Sequence, residues 1–349
     1  MLKKISDDFY KTTVMNVAKQ KQVIRSATIE ILDYCNYKCK HCYVRNSYKK
    51  IMSKNDFFWV IDELHKEKCL WLLITGGEIF LHPNFKEMYT YAYNKGFIIT
   101  LFTNGYYFDD SLIELFSKLP PNEIEITLYG DSNSYDGYVG VDGAFDRLDI
   151  NIKKLCKTNL PLKLKTILCV DLYNSYSKML EYSQKYNLPL RIDGHILPKI
   201  NGENVEKMRL DPNIVIMEEN SISLDLKKSA IDKLKHYEYN NALYTCSAGE
   251  NSIFIDANLN ACLCMMARHI CVSLRKDNVS LKIAQKIIVD KKNKKAKLNK
   301  SNKCYNCKYR PLCRYCPGQF IIEKGDEYSP IEWYCRYAKQ FFKFITKGE

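Results

Sequence analysis

Cys35-Asn36-Tyr37-Lys38-Cys39-Lys40-His41-Cys42 places three thiols on one short stretch, spaced x3 and then x2. Three thiolates are one short of the four that close a structural zinc site or an ordinary iron–sulfur site. An incomplete ligand set is what a catalytic metal needs, because the remaining position can take a substrate. Just upstream, Ala27-Thr28-Ile29-Glu30-Ile31-Leu32-Asp33 alternates as a strand does, so the triplet reads as the loop that leaves a strand.

Working outward, strand and helix signals alternate. Ser53 is a hydroxyl N-cap for a helix expected to reach Lys68, with Asp56 near its positive end. Leu70–Ile74 reads as a short buried strand ending in Thr75-Gly76-Gly77-Glu78, and a helix over Asn84–Lys95 is stopped by Gly96. Strands are expected near 97–102, 123–129, 162–170 and 190–193, with helices near 109–118, 142–156 and 175–186. About six βα units place the chain in the α/β class, as a parallel sheet with helices outside. Working residues in such sheets gather beyond the C-terminal strand ends, where the motifs named here fall. Residues 200–245 read as a polar, irregular bridge, and no repeat of fixed period is visible.

The chain has 349 residues, enough for about two domains, and no run approaches the apolar length of a membrane span. The start, Met-Leu-Lys-Lys-Ile-Ser-Asp-Asp-Phe, lacks a hydrophobic signal region, so a cytoplasmic location is expected. Fifteen cysteines without a secretion signal argue for metal ligation over disulfides. The net charge of +13 is partly local, because residues 276–303 hold ten lysines. That run reads as a solvated helix and loop; without aromatic interleaving or a recognition motif, no nucleic-acid partner is expected.

The triplet resembles the hallmark of the radical S-adenosylmethionine (SAM) superfamily, CxxxCxxC with an aromatic residue, here His41, before the third cysteine. The resemblance implies a partial (β/α)6 TIM-like barrel. Cys35, Cys39 and Cys42 would hold three irons of a [4Fe–4S] cluster, and the fourth iron would chelate SAM. Gly76-Gly77-Glu78, 34 residues after the triplet, looks like the family's GGE, which sets a carboxylate and backbone against the methionyl ammonium. The following Ile79-Phe80-Leu81-His82-Pro83 resembles the GGEPLLHP run with Ile79 in place of proline. Thr103-Asn104-Gly105 looks like the TNG signature. Thr127-Leu128-Tyr129-Gly130 is similar to SLYG, which implies that the Thr127 hydroxyl faces the SAM carboxylate or ribose. Some relatives carry an arginine about a dozen residues later, where this chain has Tyr138-Val139-Gly140.

A second set, Cys246, Cys264, Cys304-x2-Cys307-x5-Cys313-x2-Cys316 and Cys335, resembles the SPASM extension, which binds two auxiliary [4Fe–4S] clusters. Two departures are visible: Leu259 stands where the family has a turn glycine, and the last pair is spaced x2 instead of x3. By the resemblance, Cys304, Cys307, Cys313 and Cys335 hold the outer cluster, and Cys246, Cys264 and Cys316 the inner one. Cys262, Cys271, a substrate group or water are candidates for the inner fourth position. CxxC is equally a zinc signal, so one or two zinc ribbons stay open. Cys69, Cys156 and Cys169 read as small buried hydrophobes. Expected boundaries are an N-terminal segment 1–26, barrel 27–200, bridge 201–245, SPASM extension 246–340 and tail 341–349.

The resemblance implies reductive cleavage of SAM to a 5′-deoxyadenosyl radical and modification of a ribosomally made peptide precursor, with crosslinking the first reading. The alternative is oxidation or modification of a protein side chain, as in sulfatase maturation, or of a small molecule. A non-catalytic zinc or Fe–S module is the remaining class. Expected partners are the precursor peptide and a flavodoxin or ferredoxin-type electron donor. With 26 residues before the first strand, any leader-peptide recognition domain is expected on a separate protein. Asp193 and His195 could face the substrate, although a structural role is the stronger reading, and no catalytic acid or base is assigned.

Overall fold

In the first six strands, one face is apolar and the other polar. The computed structural model describes residues 23–44, 49–222, 225–276 and 278–346. Most of the expected N-terminal segment and the last three residues of the expected tail lie outside them. Strands β1 (Ser26–Glu30), β2 (Trp71–Thr75), β3 (Ile98–Thr103), β4 (Glu123–Thr127), β5 (Leu162–Ile167) and β6 (Leu190–Asp193) pair in parallel in chain order. Their outward side chains, among them Ile29, Leu72, Ile74, Leu101, Ile124, Ile126 and Leu164, are fully buried. The inward face carries Glu30, Thr75, Phe102, Glu125, Thr127, Lys165, Arg191 and Asp193. Strict alternation follows from the two-residue period of a strand, and the covering helices take the apolar side.

Those helices are α1 (Lys54–Lys66), α2 (Phe85–Asn94), α3 (Asp110–Lys118), α4 (Tyr135–Val139), α5 (Ala144–Leu155), α6 (Val170–Tyr173) and α7 (Tyr176–Lys185). Ser53 caps α1 by accepting from the Asp56 N–H at 3.0 Å, as its sequence predicts. The short α4 and α6 are additions that too few residues signal. A closed eight-stranded barrel fills its interior with side chains. Six strands in an open arc leave a polar lumen, and the site lies at its C-terminal mouth.

The bridge is not irregular. It forms α8 (Pro212–Ile222) and α9 (Asp225–Lys235), and α8 packs on the last helix. Beyond it, β7 (Ser252–Ile255) adds to β1 in parallel, and β8 (Asn260–Cys262) and β9 (Cys271–Ser273) follow antiparallel. The cysteine-rich extension therefore continues the barrel's own sheet into nine strands. Helices α10 (Leu281–Asn293), α11 (Pro317–Lys324) and α12 (Glu332–Thr346) complete it. Most of the expected tail thus belongs to α12, whose apolar face buries Trp333, Tyr337, Phe341 and Ile345.

Four of the ten lysines in the lysine-rich stretch bind protein groups. Lys282 pairs with Glu67, Lys291 donates to the Cys271 carbonyl, and Lys295 pairs with Glu327. Lys292 is buried and donates to the carbonyls of Cys246 and Ala248 and to Glu250. His195 accepts from Arg314 at 2.6 Å at the seam between barrel and extension. Burial and the neighbouring Arg314 and Arg209 lower its pKa to about 3, so it stays neutral. No helix among the described residues is long and apolar enough to cross a membrane.

Arg209 carries much of this seam. Its fully buried guanidinium donates to both Glu323 oxygens at 2.9 and 2.6 Å and to the Ile196 carbonyl. Removing one member of a buried pair strands the other charge, at about 3–5 kcal/mol. Arg209→Met is expected to lower the urea midpoint by that equivalent, and adding Glu323→Gln should recover part of the loss.

Candidate functional site

The triplet loop is shaped by backbone that lies flush against it. Gly77 N–H donates to the Leu32 carbonyl at 3.0 Å and Glu78 N–H to the Tyr34 carbonyl at 3.1 Å. A Cβ on Gly77 would sit 1.8 Å from the Tyr34 carbonyl oxygen and 2.8 Å from the Cys35 nitrogen. A Cβ on Gly76 would meet the Leu32 oxygen at 2.4 Å. Paired glycines are therefore required by contact with the cysteine loop. Cys42 N–H donates to the Cys39 carbonyl at 3.1 Å, closing the second half of the triplet as a turn.

Cys35 Sγ accepts from Tyr37 N–H at 3.3 Å and from Asn104 Nδ2 at 3.5 Å. Burial, and then the nearby Glu78 carboxylate, push the Cys35 thiol up to about 12. Metal binding would take this group as the thiolate and release its proton to solvent. The N–H groups aimed at its sulfur suit a cluster ligand, whose potential such bonds tune.

Glu78 is completely buried. One oxygen accepts from Thr103 Oγ1 at 2.7 Å and Phe80 N–H at 3.1 Å, and the other from Asn104 N–H at 2.7 Å. Its carboxylate thus ties the end of β2 to the end of β3, and burial raises its pKa to about 7 against those bonds. Asn104 then reaches the cysteine loop, donating to Asn36 Oδ1 at 2.8 Å. Sequence-assigned residues Gly76, Gly77, Glu78, Thr103 and Asn104 are brought together with Cys35 in one network.

His41 lies between two tyrosines. It stacks on Tyr138 with ring centroids 5.5 Å apart, and its Nδ1 pairs with the Tyr138 hydroxyl at 2.7 Å. Tyr129 meets its edge at 4.7 Å. Burial and then the charges of Lys165 and Lys199 lower its pKa to about 3, keeping the ring neutral. Thr127 ends β4 with its hydroxyl buried and without a hydrogen-bond partner.

Several lumen residues escape sequence reading. Glu30 takes both guanidinium nitrogens of Arg268 at 3.0 and 2.7 Å, tying β1 to the extension. Glu125 pairs with Arg191 at 2.8 Å, and Arg191 also reaches Asp193 at 3.2 Å. Asp193 thus joins the lumen, while His195 does not. The available signal was charge at alternate positions of otherwise apolar strands, as in Glu123-Ile124-Glu125 and Lys163-Leu164-Lys165.

In the extension, Cys304, Cys307, Cys313 and Cys335 line one cavity of about 290 Å³, together with Lys303, Arg310 and Lys339. Each of the last three adds positive charge beside thiols that become anionic as ligands. Cys246, Cys264 and Cys316 form a second group: after the larger effect of burial, Cys246 raises the Cys264 pKa, and Cys264 and Cys246 raise that of Cys316. Cys262 and Cys271 stand opposite each other on β8 and β9. Their thiols interact, which raises the Cys262 pKa. Leu259, at φ 61°, makes the turn expected of glycine, with Asp256 Oδ1 accepting from Asn258 and Asn260 N–H at 2.9 Å. Cys69 and Cys169 are buried as expected, but Cys156 is exposed at the end of α5.

No three His, Cys, Asp or Glu side chains among the described residues converge as tightly as a single ion needs. Cys304, Cys307, Cys313 and Cys335 ring a space instead, which suits a polynuclear cluster better than zinc at about 2.3 Å from each sulfur. Gly77→Ala must displace the Tyr34–Cys35 backbone. It is expected to cost the chain about four irons on anaerobic reconstitution while leaving the C-terminal sites loaded, as iron and sulfide analysis would read.

The Radical SAM superfamily profile matches residues 29–182. Sporulation killing factor maturation protein SkfB of Bacillus subtilis is 30% identical over 139 residues, which are 39% of this chain and 34% of SkfB. The match therefore spans about a third of that curated relative's length. Protein MJ1632 of Methanocaldococcus jannaschii is 30% identical over 190 residues, 52% of this chain and 72% of MJ1632. Among solved structures, Streptococcus suis SuiB bound to precursor peptide SuiA superposes with a TM-score of 0.71 at 16% identity. The superposition covers 96% of this chain and 83% of SuiB, a likeness of fold that includes the cysteine-rich extension. With that profile and a relative 30% identical of which the match spans 72%, the chain belongs to the radical SAM superfamily.

Proposed function

We propose that this chain is a SPASM-type peptide maturase that uses SAM to crosslink a ribosomally made precursor. In this reading Cys35, Cys39 and Cys42 hold the SAM-binding [4Fe–4S] cluster. Cys304, Cys307, Cys313 and Cys335 hold one auxiliary cluster, and Cys246, Cys264 and Cys316 hold another. The observation that carries it is the gathering of seven C-terminal cysteines into two groups beside the barrel, one of them ringing a cavity of about 290 Å³. Crosslinking is a net oxidation, and two further redox centres suit it. SkfB, a maturation protein by name, supports the peptide substrate.

When bound, these groups supply one-electron cleavage of SAM to a 5′-deoxyadenosyl radical, and a destination for the electron that oxidation of substrate releases. The protein's part is orientation and exclusion of water. Tyr37 N–H and Asn104 Nδ2 stabilise the Cys35 sulfur as an anion. Glu78 holds Thr103 and the Asn104 backbone at fixed depth below the triplet, and acts through them. Tyr138 and Tyr129 fix the His41 ring over the loop. The paired charges of Glu125, Arg191 and Asp193 give the lumen a polar wall that does not need a counter-ion from substrate. A cytoplasmic setting and a flavodoxin or ferredoxin-type donor belong to the same proposal, and a separate protein for leader-peptide recognition is compatible with it.

Anaerobic reconstitution is expected to load about twelve irons and no zinc. Cys39→Ala should lose about a third of that iron and all SAM cleavage, whereas Cys307→Ala should lose a similar share of iron and keep SAM cleavage. Incubation with the short peptides encoded beside the gene should lower the mass of one of them by about two hydrogens. Deoxyadenosine release with no such mass change on any of them would favour modification of a protein side chain or small molecule instead.

A further inference from the structure

Cys262 and Cys271 face each other across the β8–β9 hairpin, and no cluster of the proposed function takes either of them. Leu263 N–H donates to the Ile270 carbonyl and Leu274 N–H to the Leu259 carbonyl, both at 2.9 Å. Hydrogen-bonded pairs alternate along an antiparallel ladder, so Cys262 and Cys271, one step from Leu263 and Ile270, form a non-hydrogen-bonded pair. Side chains approach most closely at such a pair, whose Cα atoms stand about 4.5 Å apart, within the range a disulfide spans. The two thiols already share a hydrogen bond. Cys262 is buried and Cys271 partly exposed, so a reagent from solvent meets Cys271 first, with Cys262 directly behind it.

The pair closes the neck of segment 263–270, through which the inner thiol group is tied to the rest of the molecule. Cys264 of that group accepts from Ala267 N–H at 3.4 Å. Arg268 binds both oxygens of Glu30 on β1, and His269 pairs with Glu327 at 2.7 Å. Gly318, just beyond Cys316, lies flush on the same segment, where a Cβ would meet the Ala267 nitrogen at 3.1 Å. The placement of Cys264 against Cys316 and against the barrel therefore depends on this segment staying closed. Strands β8 and β9 hold the neck with three residues each, and so short a hairpin is marginal by itself. A covalent bond between Cys262 and Cys271 would close a ring of ten residues and remove much of the freedom of the open segment.

We propose that Cys262 and Cys271 are a reversible redox pair, which a low-molecular-weight disulfide oxidises to a bridge that clamps the inner-site segment. The Cys271 sulfur attacks one sulfur of the oxidant and releases the other half as a thiol. The Cys262 sulfur then attacks the mixed disulfide and releases the second half. Two protein thiols are thus oxidised by two electrons, one disulfide is reduced to two thiols, and both protons leave on those thiols. The test treats anaerobically cluster-loaded protein with oxidised glutathione, then denatures, alkylates, digests with trypsin and maps the peptides by mass spectrometry. Cleavage after Arg268 separates the two cysteines, so the bridge should join fragment 269–275 to the fragment ending at Arg268, through Cys262. The linkage should vanish on treatment with dithiothreitol. Cys262→Ser and Cys271→Ser should each load iron at the wild-type level and lose the linkage. Under an iron chelator after the same oxidation, wild type should release its inner-site iron at least about tenfold more slowly than Cys271→Ser, because the bridge removes loop-opening entropy. Absence of the linkage in oxidised wild type, or equal rates of iron release, would overturn the clamp. Loss of about four irons in either serine variant would also overturn it and hand these thiols to the inner cluster. Protein that loads no iron would overturn the proposed function alone, because peptide mapping still reads the bridge.

Discussion

The absence of a side chain at Gly77 is the constraint on which the site depends. Backbone of the loop after β2 lies against backbone of the loop after β1, closer than any Cβ allows. Two N–H bonds from Gly77 and Glu78 to the Leu32 and Tyr34 carbonyls fix the Cys35 loop at that distance. Everything attached to the next residue inherits the position. Glu78 reaches Thr103 and Asn104, and Asn104 returns to Cys35 and Asn36. Three strand ends are thus locked into one rim by hydrogen bonds within the protein. A rim of this kind is preorganised, and binding a cluster or cofactor on it does not first require the loops to be ordered.

Below the rim the lumen is polar because the barrel is open and charged side chains line it. Buried charges in such a space cost several kcal/mol each unless paired. The structure pairs nearly all of them, and uses two pairs for architecture as well. Glu30 with Arg268 ties the first strand to the extension, and Glu125 with Arg191 spans β4 and β6 across Lys165. The extension is joined to the barrel by the shared sheet, by Arg268 and by Arg209. Its cysteine groups are therefore held at a set distance from the triplet, a requirement for centres that exchange electrons.

The triplet and its setting were legible because their determinants are local. A strand, a CxxxCxxC loop and a glycine pair at the next strand end are all written within fifty residues, and local hydrogen bonds enforce them. The division of the C-terminal cysteines into two groups followed from a family resemblance, and the structure gathers the same residues. The bridge was misread because its helices pack on α12 and on residues 310–312, far away in sequence. That Cys262 and Cys271 stand opposite each other follows from the β8–β9 register, which their spacing in the sequence does not announce. Leu259 shows how a missing glycine is accommodated: Asp256 braces a left-handed turn that a buried leucine then occupies.

By itself, the sequence determined the α/β class, the order of the strands and the identity of the residues at their ends, since period-two alternation and glycine punctuation are short-range. Only the tertiary structure decided which charges meet in the lumen and which cysteines share a cavity. Those outcomes depend on the register between strands and on how the extension docks. Both are settled by packing between residues up to some two hundred positions apart, such as Glu30 with Arg268 and Glu63 with Leu281.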